Sequence, residues 1–232
     1  GNTKFDKKTI RAALDSNLQR LQTDHIDIYQ LHWPERQTNF FGQRGYTESM
    51  AQQDTKELTP FLETIEALND EITKGRIRAY GLSNDTPWGV MRYLAEADKH
   101  GLARPITIQN PYSLLNRLYE VGLAEISHRE QIGLLAYSPL AFGVLSGKYL
   151  GGNKPANSRL SLYSHFTRYL NEQAQQATQA YAEVAKKHHL DMAQMALAFV
   201  NSRSFVTANI IGATTIEQLA SNIASVDLVL SQ

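Results

Sequence analysis

His32 closes the run His25-Ile26-Asp27-Ile28-Tyr29-Gln30-Leu31-His32 and is followed by Trp33-Pro34. An imidazole at the mouth of a strand, with a reference pKa of about 6.5, can polarise a carbonyl or relay a proton. A hydrogen-bonded core histidine would give the same pattern, so both readings stand at this point. The other six histidines bring no partner for a metal. His188 and His189 are adjacent and diverge on a helix, His100 falls in a helical last turn, and His25, His128 and His165 share no ligand spacing with His32. No metal site is expected. Ser83, Asn84 and Gln109 supply neutral donors and acceptors at the ends of two further short strands, a set suited to an uncharged carboxamide. Turn and capping duty would use the same residue types, since Asn84 precedes an N-cap and Gln109 precedes Asn-Pro.

Phosphate chemistry is suggested by Tyr137-Ser138-Pro139-Leu140-Ala141-Phe142-Gly143-Val144-Leu145-Ser146-Gly147-Lys148. Its small residues let a backbone approach a ligand, and Lys148 and then Arg159 bring cations suited to phosphate. It is not a Walker A loop: the spacing from Gly143 to Gly147-Lys148 is one residue short, and Tyr149 stands where a Ser or Thr would reach magnesium. The loop over residues 141–171 is long, which is often a functional sign, although an ordinary surface excursion fits too. Gly212-Ala213-Thr214-Thr215 precedes a helix and forms a second anion-compatible N-terminus. Gln218 and Asn222 lie four apart on one helical face, suited to adenine or to plain solvent. A further loop over residues 34–53 follows Trp33 and carries Phe40, Phe41, Tyr46, Arg36 and Arg44. An aromatic lid over a substrate and a packed Ω-type loop both account for it.

Positioning these groups requires alternating helices and strands. Asp6 precedes an amphipathic helix with Ile10, Ala13, Leu14, Leu18 and Leu21 at helical spacing. A helix over 58–74, a strand over 77–82, and a helix opened by Thr86-Pro87 and stopped by Gly101 follow. Then come a strand over 106–109, a helix over 120–130, a strand over 133–137, helices over 172–188 and 192–201, a strand over 209–211 and a helix over 216–223. Short apolar strands separated by helices should be parallel and buried on both faces. Polar or small residues end all five strands, as in a β/α barrel, whereas a doubly wound sheet would show a G-x-G-x-x-G turn that is absent. The expected class is therefore α/β, a (β/α)8 TIM barrel, with residues 1–232 as a single domain. Five strands fall three short of closure, and an open sheet would expose two edges. The chain is thus expected to cover the last five strand–helix units of a longer barrel, its leading helix being the third of eight.

Composition narrows the partners. Twenty-three basic and 23 acidic side chains in 232 residues give zero net charge, so no overall basic footprint for nucleic acid or membrane exists. Without an eighteen-residue apolar stretch or a charged-then-apolar leader, the reading is a soluble, cytoplasmic protein with no membrane partner. Zero cysteines exclude disulfides, thiolate metal sites and a cysteine nucleophile.

Five segments together resemble the aldo-keto reductases: Asp27-Ile28-Tyr29-Gln30-Leu31-His32-Trp33-Pro34; Lys74-Gly75-Arg76-Ile77-Arg78-Ala79-Tyr80-Gly81-Leu82-Ser83-Asn84; Gln109-Asn110-Pro111-Tyr112-Ser113; the run over 137–148; and Ile211-Gly212-Ala213-Thr214-Thr215. Order and spacing match across essentially the whole chain. Within the family it looks similar to the bacterial Tas-like reductases, near the branch of the potassium-channel β subunits. The resemblance implies a barrel that binds NADP(H) in extended form, NAD(H) remaining open, and passes hydride between nicotinamide and the carbonyl of a small substrate. Of the family's Asp, Tyr, Lys and His tetrad only the histidine maps, onto His32; the others belong to the first three strands. By the same resemblance Ser83, Asn84 and Gln109 hold the carboxamide, Tyr137 stacks on the nicotinamide, and residues Ser138 through Lys148 wrap the pyrophosphate. Arg159, Gly212, Thr214, Gln218, Ser221 and Asn222 complete the adenosine end, and Trp33 borders the substrate. Many members carry a Lys or Arg just after the last strand for the 2′-phosphate; Ala213-Thr214-Thr215 stands here, so that role falls to Lys148 and Arg159. The alternative to an enzyme is a non-catalytic nicotinamide-binding regulatory module, or an inactive truncated form.

Overall fold

Asp6 caps the first helix, α1 (Lys7–Leu21), its carboxylate accepting the Thr9 N–H at 2.7 Å. The computed structural model describes residues 4–43, 45–53 and 58–231; Arg44 lies outside the described residues. After α1 come β1 (Ile26–Leu31), α2 (Glu48–Gln53), α3 (Phe61–Thr73), β2 (Ile77–Ser83), α4 (Pro87–His100) and β3 (Thr107–Pro111). A 3-10 turn (Leu118–Val121), α5 (Leu123–Glu130) and β4 (Gly133–Tyr137) follow, then 3-10 segments at Ala141–Ser146 and Leu150–Gly152. The rest comprises α6 (Arg159–Leu162), α7 (Glu172–Lys187), α8 (Met192–Asn201), β5 (Val206–Asn209), α9 (Ile216–Ala224) and a 3-10 turn (Ser225–Asp227). Contacts divide the chain into two units, Gly1–Gln109 with Arg129–Gly133, and Asn110–His128 with Leu134–Gln232.

In the first unit β1 pairs in parallel with β2, from Ile26 opposite Ile77 to Leu31 opposite Leu82, and β2 pairs in parallel with β3 through Leu82–Ile108 and Ser83–Gln109. Parallel neighbours need a crossover, which α3 and α4 supply. Helix α3 packs against α1, α4 and β2. It buries Ile65 and Leu68 with Ile10 and Leu14 of α1, Tyr80 and Leu82 of β2, and Val90 and Leu94 of α4. The expected stops of α4 are present: Thr86 caps it, Pro87 opens it and Gly101, at φ +64°, ends it. Glu71 of α3 is buried and meets Lys74 at 2.6 Å, Arg76 at 3.3 Å and Arg11 at 3.5 Å.

In the second unit β4 and β5 are parallel, with Leu134 opposite Val206 and, after an irregularity, Ala136 opposite Asn209. Helix α8, capped by Asp191, packs against α7, α9, β5 and the Ala141–Ser146 segment. Ala196 of α8 shares a buried cluster with Ala141, Val144, Leu145 and Tyr169.

Four expectations need correction. The last strand is Val206–Asn209 rather than 209–211: pairing starts where Leu134 N–H donates to Phe205 O at 2.8 Å and ends as Ile210 N–H reaches Ala136 O at 2.8 Å. Gly122, at φ −157° and ψ −40°, splits the expected helix over 120–130 into a 3-10 turn and α5. The third strand runs two residues further, to Pro111. The loops over 34–53 and 141–171 contain α2, two 3-10 segments and α6. No described helix is long and apolar enough to cross a membrane.

Candidate active site

Strand alternation sorts the residues of the first unit into layers. Positions two apart share a face, so Gln30, Gly81 and Thr107 lie one step behind His32, Ser83 and Gln109. Gln30 Nε2 donates to Thr107 Oγ1 at 2.8 Å, and that amide crosses β2 at Gly81, where any Cβ would collide with both partners. The back layer is thus closed by a side-chain bridge over a glycine.

In front of it His32 is exposed, which removes the core-histidine reading. Its ring lies 4.4 Å from the ring of Trp33 and 6.2 Å from that of Phe41, while Phe41 meets Trp33 at 5.7 Å and Phe40 at 5.1 Å. The loop after β1 therefore does form an aromatic wall beside the imidazole; Tyr46 is 60% exposed. Asn84 holds the histidine from its backbone, Nδ2 donating to His32 O at 2.8 Å and to Ser83 Oγ at 3.0 Å. Ser83 Oγ donates onward to Gln109 O at 2.8 Å, and the Asn84 N–H reaches the same oxygen at 3.1 Å. His32, Ser83, Asn84 and Gln109 are brought together, with Asn84 in the left-handed region at φ +56°. The Ser83 and Asn84 side chains are buried and occupied with this lattice, whereas Gln109 is half-buried.

The second unit gathers the cations. Tyr137 ends β4; burial pushes its phenol above the usual range, and a hydrogen bond with Arg168 pulls in the opposite direction. Ser138, Ala141 and Phe142 then take left-handed conformations at φ +54°, +48° and +60°. Of nine non-glycine residues with positive φ among the described residues, six (these three, Phe41, Asn84 and Asn157) lie in the candidate segments. At roughly 1–2 kcal/mol each for such a conformation, the candidate segments carry most of this strain. Ala141, Val144 and Leu145 point into the core, so what they offer a ligand is backbone. Gly143, at φ +91°, leaves open the space that Lys148 fills: a Cβ there would sit 2.9 Å from Lys148 Cε and 3.0 Å from Nζ. Arg159 and Arg168 flank one ring, their Cζ atoms 6.0 and 5.8 Å from the centroid of Phe142. Arg159 is thus beside the 138–148 run, and none of Lys148, Arg159 and Arg168 pairs with a carboxylate among the described residues.

Residues 212–222 form a third group. Thr214 donates from N and Oγ1 to Gln218 Oε1, both at 3.0 Å; Thr215 Oγ1 accepts the Gln218 N–H at 3.2 Å; and Asn222 Nδ2 donates to Gly212 O at 3.4 Å. Gln218 and Asn222 therefore shape the turn before α9. Ser221 O accepts from Gln194 Nε2 of α8 at 3.1 Å.

Three contributors escaped the sequence reading: Arg168, Gln194, and the buried pair of Arg36 with Asp85 at 2.5 Å. Arg168 stood unmarked in a long loop, Gln194 acts through a backbone oxygen, and Arg36 and Asp85 are 49 positions apart.

A family model described as the aldo/keto reductase family matches residues 1–232. Protein tas of Escherichia coli (strain K12) is 55% identical over 228 residues, covering 98% of this chain and 65% of the E. coli protein. An aldo-keto reductase of Babesia bovis is 36% identical over 235 residues, covering 96% of this chain and 81% of that protein. A probable voltage-gated potassium channel subunit beta of Oryza sativa subsp. japonica is 28% identical over 229 residues, covering 97% of this chain and 63% of its own length. Both branches anticipated from the sequence are thus among the relatives. This chain spans somewhat less than two thirds of the length of the tas protein.

Proposed function

Because the chain belongs to the aldo/keto reductase family, whose fold is the (β/α)8 barrel, we propose that it serves an NADP(H)-dependent reduction of small aldehydes or ketones. The observation that carries the reading is the exposed His32 imidazole, framed by Trp33 and Phe41 and fixed from behind by Asn84. In this proposal His32 presents a ring N–H to the carbonyl oxygen and polarises it, and the aromatic wall excludes water from the apolar part of the substrate. When bound, the nicotinamide supplies the hydride. The residues suit such a cofactor: a lysine ammonium folded over a glycine, two arginines without carboxylate partners among the described residues, and neutral amides. Lys148 and Arg159 would take the phosphates, with the segment Ser138 to Gly147 supplying backbone. Ser83, Asn84 and Gln109 would meet the carboxamide, Tyr137 the nicotinamide face, and Gly212, Thr214, Gln218, Ser221 and Asn222 the adenosine. Preference for NADP(H) over NAD(H) rests on the two cations, since Ala213-Thr214-Thr215 adds none.

The test uses the full-length protein. NADPH should change its fluorescence on mixing, and Lys148→Met should weaken binding roughly 10- to 100-fold, as expected when a charged hydrogen bond of about 1.5–3 kcal/mol is lost. Steady NADPH oxidation should follow with small aldehydes. Absence of binding with both NADPH and NADH at millimolar concentration would refute the proposal. Tight binding without turnover would instead favour a regulatory module, in keeping with the similarity to a probable voltage-gated potassium channel subunit beta of rice.

A further inference from the structure

Arg36 stands outside the group of residues placed around the carbonyl, four positions beyond His32, yet it is only 10% exposed and its partner Asp85 only 4%. Nη2 donates to Asp85 Oδ1 at 2.5 Å and to Thr86 Oγ1 at 3.0 Å. The guanidinium carbon lies 5.0 Å from the ring centroid of Trp88 and 6.0 Å from that of Phe61. At Gly89 a Cβ would strike both Arg36 Nη2 and Asp85 Oδ1, so the first turn of α4 is shaped around this one arginine. Its neighbour Glu35 ties the same loop to the segments that lead into α1 and α3, accepting the Phe5 N–H at 2.9 Å and the Thr59 N–H at 3.1 Å.

The turn at residues 84–86 thereby holds the segment after β1 at two points. Asn84 grips the carbonyl of His32, and Asp85 with Thr86 grips Arg36. Between the grips lie Trp33 and the buried Pro34. A side chain that only stabilised the fold would need no such link; a buried ion pair is a poor source of net stability, because desolvation offsets most of its attraction. A planar guanidinium held by Nη2 on both a carboxylate oxygen and a hydroxyl, with an indole ring over it, does supply orientation.

Resting on the reductase reading above, we propose that Arg36, through Asp85, is a positioning residue that sets how the His32 and Trp33 rings meet the carbonyl substrate. Three variants of the full-length protein test it: Arg36→Gln, Asp85→Asn, and the two combined. Each single change takes the opposite charge away from a buried ion and should lower the melting temperature. The double variant removes both charges and should recover most of that loss. If Arg36 positions the rings, the double variant keeps its NADPH affinity and its recovered melting temperature but still shows kcat/KM for the aldehyde about 10-fold below the unaltered protein, as small misplacements do. The two tryptophans, Trp33 and Trp88, flank the pin and give a readout free of turnover. In the double variant their emission should shift to the red and acrylamide should quench it more strongly. Wild-type kcat/KM and quenching in the double variant, or NADPH affinity falling in step with the melting temperature, would overturn the positioning role while leaving the reductase reading intact. An unaltered protein that neither binds nicotinamide cofactor nor reduces aldehydes would overturn the reductase reading, and the positioning role with it.

Discussion

Gly143→Ala separates the cost of backbone strain from the placement of a cation. Gly143 sits at φ +91°, outside the left-handed optimum of an L residue, so alanine there costs about 1–2 kcal/mol. Lower entropy of the unfolded chain returns about 0.4–1 kcal/mol. The net destabilisation is about 1 kcal/mol, or a fall of roughly 2–4 °C in melting temperature for a protein of this size. The new methyl would lie 2.9 Å from Lys148 Cε and 3.0 Å from Nζ, against ordinary carbon contacts of about 3.5–4.0 Å. A flexible ammonium arm yields more readily than backbone, so Lys148 should move by roughly 0.5–1 Å and, on the cofactor role proposed for it above, NADPH affinity should fall about 10-fold. The assay is NADPH titration by fluorescence beside thermal melting, on Gly143→Ala, Lys148→Met and their combination. Because the glycine acts on affinity through the lysine, the combined variant should bind no worse than Lys148→Met alone. Additive losses, or an unchanged affinity with the melting temperature reduced, would refute this account of Gly143.

Two further outcomes follow from buried ionisable groups. Burial raises the phenols of Tyr80, Tyr93, Tyr112 and Tyr119, that of Tyr119 to about 12. The folded chain therefore holds these protons more tightly than the unfolded one, and their contribution is complete below pH about 10 and lost as pH climbs through the folded values. Ultraviolet titration should show a subset of the 11 tyrosines ionising only together with loss of the native circular dichroism. Simultaneous ionisation of all of them near pH 10 in folded protein would contradict it. Glu71 is 2% exposed, but its partners Arg11 and Lys74 are 48% and 43% exposed and can return to water, and Arg76, 26% exposed, keeps its second partner Asp15. Glu71→Gln should therefore cost only about 1–3 kcal/mol in denaturant unfolding, below the roughly 3–5 expected when a buried charge is stranded, and Arg11→Ala less than about 1. A larger loss for Arg11→Ala than for Glu71→Gln would reverse this assignment.

What could be read from the residues was local. Asp6, the Thr86-Pro87 pair and Gly101 mark helix ends through their own backbone preferences, and all three act where the pattern put them. His32 and Lys148 could be singled out as candidates just as locally, the one as a polar residue ending an apolar strand, the other as a cation closing a run of small residues. The last strand was misplaced because Ile210-Ile211 is the more apolar pair, while pairing is decided by the backbone partner at Leu134. Neither Gly122 as a helix breaker nor Gly81 as a crossing point shows in a hydrophobic pattern. The pin of Arg36 was illegible because its meaning depends on Asp85, Trp88 and Gly89, about fifty positions on. In sequence, a loop arginine is a solvated charge.

The Gln30–Thr107 bridge across Gly81 sets a depth gauge. Two residues along a strand span about 6.6 Å, so a molecule in front of His32 meets a closed floor after that distance. Gln30 Oε1 is buried there without a hydrogen-bond partner among the described residues, which makes the floor an unwelcoming seat for an apolar tail. On the reductase reading proposed above, longer members of a substrate series would grow outward, past Trp33 and Phe41, and discrimination by chain length would belong to that rim. Widening the floor would not admit them without first breaking the bridge.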